Sequence, residues 1–150
     1  MDPSFRTVVL AHLDTAYNLA LWLTGSHRDA EEVVQKSVLS AFRASDRSGK
    51  SNTRARWLLI VRKTADSWLS ENRPVPVAEV PDIADMAVAE EQREMRGAIA
   101  ALPVPFRVTL VLRDIEGLDY REIADVTEVS IGTVMSRLAW AREQLVATLS

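Results

Sequence analysis

Residues 117–145, GLDYREIADVTEVSIGTVMSRLAWAREQL, decide the fold, because they read as two short helices joined by a tight turn with a polar outer face. Asp119 is placed to cap the first helix, Glu122 three residues on completes a capping box, and Gly117 just ahead lets the chain turn. Ile123 and Val126 fall on one face. Ala124 is small where a second helix must cross, Val129 plugs the turn, and Ser130 offers an oxygen to cap the next helix. In that second helix Ile131, Val134, Leu138, Ala141 and Leu145 recur at helical spacing and are expected to face inward. Thr133, Ser136, Arg137, Trp140 and the flank with Arg142 are left outside. Short polar side chains followed by arginines suit a helix whose N-terminal half enters a DNA major groove. On pattern alone, a plain helical hairpin with a solvated face fits the same residues.

The wider chain has 150 residues, 47% of them hydrophobic, with a net charge of −3, which suits one or two small globular domains. It has no cysteine and only two histidines, His12 and His27, so neither a disulfide framework nor a thiolate metal site is available and no cofactor or metal is implied. No apolar run approaches the ~20 residues that a membrane span needs, and no basic-then-apolar leader is visible; a cytoplasmic protein with no membrane insertion is expected. An enzyme is not expected: the acids sit mostly at helix caps and in a linker, and the five glycines form no phosphate loop.

Working outward to the N-terminus, Phe5, Val8, Val9, Leu13, Tyr17, Leu21 and Leu23 line one helical run from about Ser4 to a stop at Thr24-Gly25-Ser26. A second helix is expected from Asp29, with Glu32 as capping-box partner and a buried stripe of Ala30, Val33, Val34, Val38, Ala41 and Phe42. Its polar face carries Glu31, Gln35, Lys36 and Arg43. Between Arg43 and Lys63 seven cations face one acid, Asp46, in a chain that is acidic overall. Such a concentration suits phosphate neutralisation, and Trp57 would add an aromatic surface, although a charge run is commonly only a solvated face. Residues 44–52, ASDRSGKSN, read as a loop; Leu58, Val61, Ala65, Trp68 and Leu69 then give the apolar side of another helix.

Pro74, Pro76 and Pro81 break any helix after Asn72 and mark an extended, acidic linker at residues 73–85. Beyond it Val88, Met95, Ile99 and Leu102 form one stripe ending at Pro103, and residues 104–114 supply another short helix. Met86 and Met95 are read as core or boundary fillers. The fold class is therefore all-α: two small helical domains, residues 1–72 and 86–150, joined by the Pro-rich linker, the second containing the helix-turn-helix.

Residues 102–145 resemble region 4 of the extracytoplasmic-function (ECF) sigma factors of the sigma-70 family. The marks are the Leu-Pro pair at 102, the run VLRDIEGL, Y-x-E-I-A and G-T-V-x-S-R-L. Residues 16–44 and 56–73 resemble region 2 in D-A-E-x-V-V-Q and R-W-L-L-I-V-R-K-T. The resemblance implies a transcription initiation factor that docks on core RNA polymerase, reads promoter DNA and is held by an anti-sigma factor. It implies −35 contacts from Arg121, Thr133, Met135, Ser136, Arg137, Trp140 and Arg142, and −10 contacts from Lys50, Arg54, Trp57, Arg62 and Lys63. It assigns the polymerase-facing surface to Asp29, Glu32, Gln35 and Lys36.

Several positions depart from the family's pattern. Lys36 replaces an acid, Lys63 an asparagine and Arg54 an aromatic, while Met135 and Trp140 stand where a cation is common. Lys36, Lys63, Met135, Trp140 and residues 70–73, SENR, which replace a run usually dominated by arginine, leave open a sigma-like regulator that binds polymerase or an anti-sigma factor without initiating. An autonomous helix-turn-helix repressor is disfavoured because residues 118–150 carry five acids against three cations.

Overall fold

The structure, a computed structural model, describes residues 3–44, 53–72 and 90–150, and every regular element among them is helical. The linker at residues 73–85, Lys50 and the loop at 45–52, Met86 and Val88 lie outside the described residues.

Helices α1 (Pro3–Ala11) and α2 (Leu13–Thr24) replace the single N-terminal helix expected from the pattern. His12 leaves helical geometry at φ −121° and ψ 29°, and its carbonyl takes the Trp57 indole N–H at 3.2 Å. No glycine or proline marks that break; a partner 45 residues away makes it. α2 stops at Gly25, whose φ of 80° is a left-handed helix cap that glycine adopts freely. α3 (His27–Ala44) starts two residues before the expected Asp29, because the Ser26 hydroxyl accepts the Asp29 N–H at 3.1 Å. The expected Asp29–Glu32 capping box is thus replaced. Glu32 instead accepts the Trp68 indole N–H at 3.0 Å, tying α3 to α4 (Arg54–Asn72).

Trp57, Leu58, Val61 and Ala65 of α4 pack into Leu19, Ala20 and Leu23 of α2 and Ala30 and Val33 of α3. Each large side chain buried there contributes about 1.5–3 kcal/mol. Phe42, expected in this core, is 48% exposed, since its neighbour Ala41 takes the inward position.

The second half comprises α5 (Glu90–Ala100), α6 (Val104–Leu110), α7 (Tyr120–Thr127) and α8 (Ile131–Leu149). After Leu110 the helix widens into a π-type turn, Val111–Ile115, where a plain helix was expected. The Glu116 N–H reaches back to the Val111 carbonyl at 2.9 Å, and Gly117 turns the chain out at φ 75°. Ile99, Leu102, Leu110, Val111, Leu138 and Ala141 form a core that also takes in Trp22 of α2. Leu118, Ile123, Ala124 and Val126 join the first core, seating α7 on α4. The two halves therefore share buried surface.

Arg107 joins them as well. It is buried, donating from Nη1 to the Trp22 carbonyl at 2.9 Å and from Nη2 to Leu102 at 3.0 Å. Burial lowers its pKa, the expected direction for a cation withdrawn from water.

Candidate functional site

Two features of the helix-turn-helix formed as read. Asp119 Oδ1 accepts the Glu122 N–H at 2.8 Å while Glu122 accepts the Asp119 N–H at 3.2 Å, closing the capping box on α7. The Ser130 hydroxyl accepts the Thr133 N–H at 3.1 Å and starts α8. Between the helices Glu128 holds the left-handed conformation at φ 58° that reverses the chain. Ile131, expected inside, is exposed in the first turn of α8; Val134, Leu138 and Ala141 are buried and Leu145 is half-buried.

Thr133, Ser136, Arg137 and Trp140 lie at i, i+3, i+4 and i+7, one stripe on the outer side of α8. Ser136 and Trp140 are exposed and Thr133 and Arg137 half-buried. The Trp140 ring lies against Phe106 of α6, centroids 4.2 Å apart. Met135, 52% exposed, flanks the stripe, and Arg121 is exposed on α7. Arg142 points elsewhere: its Nε and Nη2 pair with Asp114 at 3.1 and 2.7 Å, bracing α8 against the π-type turn. That hydrogen-bonded partner raises the Arg142 pKa.

The expected −10 residues are placed differently. Trp57 offers no aromatic surface, being 0% exposed in the core with its N–H on His12. A ring of that size on the apolar side of α4 is worth more inside than out. Arg54 is bidentate to Glu122 of α7, Nε at 2.8 and Nη2 at 2.6 Å. Arg62 donates to the Val126 carbonyl at 2.6 Å and pairs with Glu128 at 2.6 Å and Asp66 at 2.7 Å. Lys63 reaches Glu128 at 3.3 Å. Burial raises the Asp66 pKa against the pull of Arg62.

On α3, Asp29 is half-buried, while Glu32, Gln35 and Lys36 are exposed, with Lys36 3.8 Å from Glu32. Leu39, 57% exposed, and Phe42 continue the same side of the helix. Lys36, Leu39 and Arg43 border a groove of about 370 Å³ against Thr64, Ser67 and Trp68 of α4. The helical stripe read from residues 29–42 did not mark Leu39 as part of an exposed apolar element. Its available signal was the second pair of adjacent apolar positions, Val38-Leu39, beside Ala41-Phe42. Among the described residues no group of three or more His, Asp or Glu could hold a metal ion, and no helix is long and apolar enough to cross a membrane.

Residues 92–145, from α5 through most of α8, match the family described as Sigma-70, region 4. The chain is 33% identical over 158 residues to the ECF RNA polymerase sigma factor SigE of Mycolicibacterium smegmatis, an alignment that spans 95% of this chain and 60% of that protein. It is 31% identical over 137 residues to the ECF RNA polymerase sigma-E factor of Salmonella typhimurium, spanning 78% of this chain and 72% of that one. The chain belongs to the ECF sigma factors. Its fold is that of the sigma factor RpoE from Bartonella quintana, solved in complex with the anti-sigma factor NepR, with a TM-score of 0.76, 23% identity and coverage of 97% of this chain and 96% of that one. In this chain α7, which lies within the residues matched to region 4, rests on the cations of α4.

Proposed function

We propose that the chain directs promoter-specific transcription initiation by RNA polymerase. The observation that carries this reading is the doubly capped helix-turn-helix with an outer polar stripe, in a chain 31% identical to an ECF sigma factor over 72% of that protein. Residues 1–72 would act as region 2, docking on core polymerase through Asp29, Glu32, Gln35 and Lys36 together with Leu39 and Phe42. Exposed apolar side chains beside charged ones are the composition of a protein-binding face. Arg54, Arg62, Lys63 and Lys50 would meet the −10 strand. Residues 86–150 would act as region 4, with Thr133, Ser136, Arg137 and Trp140 toward the −35 duplex, Met135 and Arg121 at its margins, and residues 73–85 as the tether. Two weak DNA contacts joined by a linker gain affinity by acting together. The chain works by binding and performs no chemical step of its own. The partner named for the similar RpoE structure supports an anti-sigma factor as a further partner.

The test is transcription in vitro with core polymerase and a library of genomic fragments. Defined transcripts that depend on the chain are expected. Polymerase binding without any transcript would favour the sigma-like regulator, the reading to which Met135 and Trp140 in place of cations point.

A further inference from the structure

Glu128 is a non-glycine residue at φ 58°, a left-handed conformation that β-carbon-bearing residues adopt at a cost. Its carboxylate spans Arg62 and Lys63 of α4 at 2.6 and 3.3 Å. Six residues earlier, Glu122 accepts from Nε and Nη2 of Arg54. The side chain of Arg62 is only 17% exposed beneath α7. The two carboxylates thus sit on three cations of one helix.

We propose that α7 is an internal competitor for nucleic acid: Glu122 and Glu128 hold the α4 cations in place of backbone phosphates, so region 2 binds a strand only when α7 leaves. This rests on the proposed function in taking those cations as nucleic-acid contacts. The α8 stripe faces outward in the same arrangement, so the −35 surface stays presented while Arg54 and Arg62 are largely covered and Lys63 is held in an exposed ion pair.

The experiment uses the full chain and a fluorescein-labelled twelve-nucleotide oligo(dT), followed by anisotropy at low ionic strength, with amide exchange of residues 123–127 as a second readout. Glu128→Gly removes the carboxylate and suits the left-handed turn; Glu128→Gln removes only the charge. Glu94→Gln, an exposed acid on α5, controls for net charge. Both Glu128 variants are expected to bind about threefold tighter than Glu94→Gln, the scale of a partly exposed ion pair, and the oligonucleotide should speed exchange in α7 of the unsubstituted chain. Equal affinities for Glu128→Gln and Glu94→Gln, no binding by any variant, or unchanged exchange in α7 would each overturn the proposal. No arm involves polymerase, so failure to bind polymerase would sink the proposed function and leave this result standing.

Discussion

The carboxylate of Glu122 accepts the Asp119 N–H at 3.2 Å and the Arg54 Nε and Nη2 at 2.8 and 2.6 Å. Hydrogen bonding from Arg54, more than any other cause, lowers its pKa below the ordinary glutamate value. A folded-state pKa below the unfolded one gives stability that is present in full above the ordinary value and lost as pH falls through the depressed one. Because the pair is partly solvated, its contribution is at most about 1 kcal/mol. Glu122→Gln keeps a capping-box partner and isolates the Arg54 pair. We expect it to lower stability at neutral pH and to equal the unsubstituted chain at the acid end, measured by urea unfolding across that range. The capping box was legible because its members are three residues apart; the Arg54 bond was not, because it spans 68 residues.

Periodicity along α4 placed Leu58, Val61, Ala65 and Trp68 inside, where they are. It could not exclude Trp57, which continues the same side as Val61 and Trp68, and a cation-rich setting argued for the surface instead. Trp57→Ala should cost about 3–5 kcal/mol, seen as a large fall in Tm, where a surface DNA contact would cost little stability. At the end of α3 two adjacent apolar residues, Ala41 and Phe42, competed for the inward position. A 3.6-residue period does not choose between neighbours, and close helix packing took the smaller. Leu39→Asp and Phe42→Asp are therefore expected to leave Tm within a degree or two, since surface substitutions stay within about 0.5 kcal/mol, while weakening binding to core polymerase at least tenfold. Calorimetry beside a pull-down separates those effects.

Across the whole molecule, the fold class followed from local signals, whereas the break between α1 and α2 and the packing of one half on the other did not. That packing rests on Arg107, on Asn18 to Glu116 at 3.1 Å, on the α4–α7 ion pairs and on Trp22, which entered the second half's core. Each pairs residues distant in sequence. Replacing Arg107 with Leu strands the Trp22 and Leu102 carbonyls, and an unsatisfied buried acceptor costs about 1–3 kcal/mol. We expect one cooperative unfolding transition to become two, resolved by calorimetry. If this helical body is a sigma factor carried by polymerase, titration of core RNA polymerase with the full chain and with its Phe42→Asp and Asp29→Arg variants will show it. Saturable binding by the unsubstituted chain, lost in both folded variants, is the expected result; a folded chain that does not bind core polymerase would contradict it.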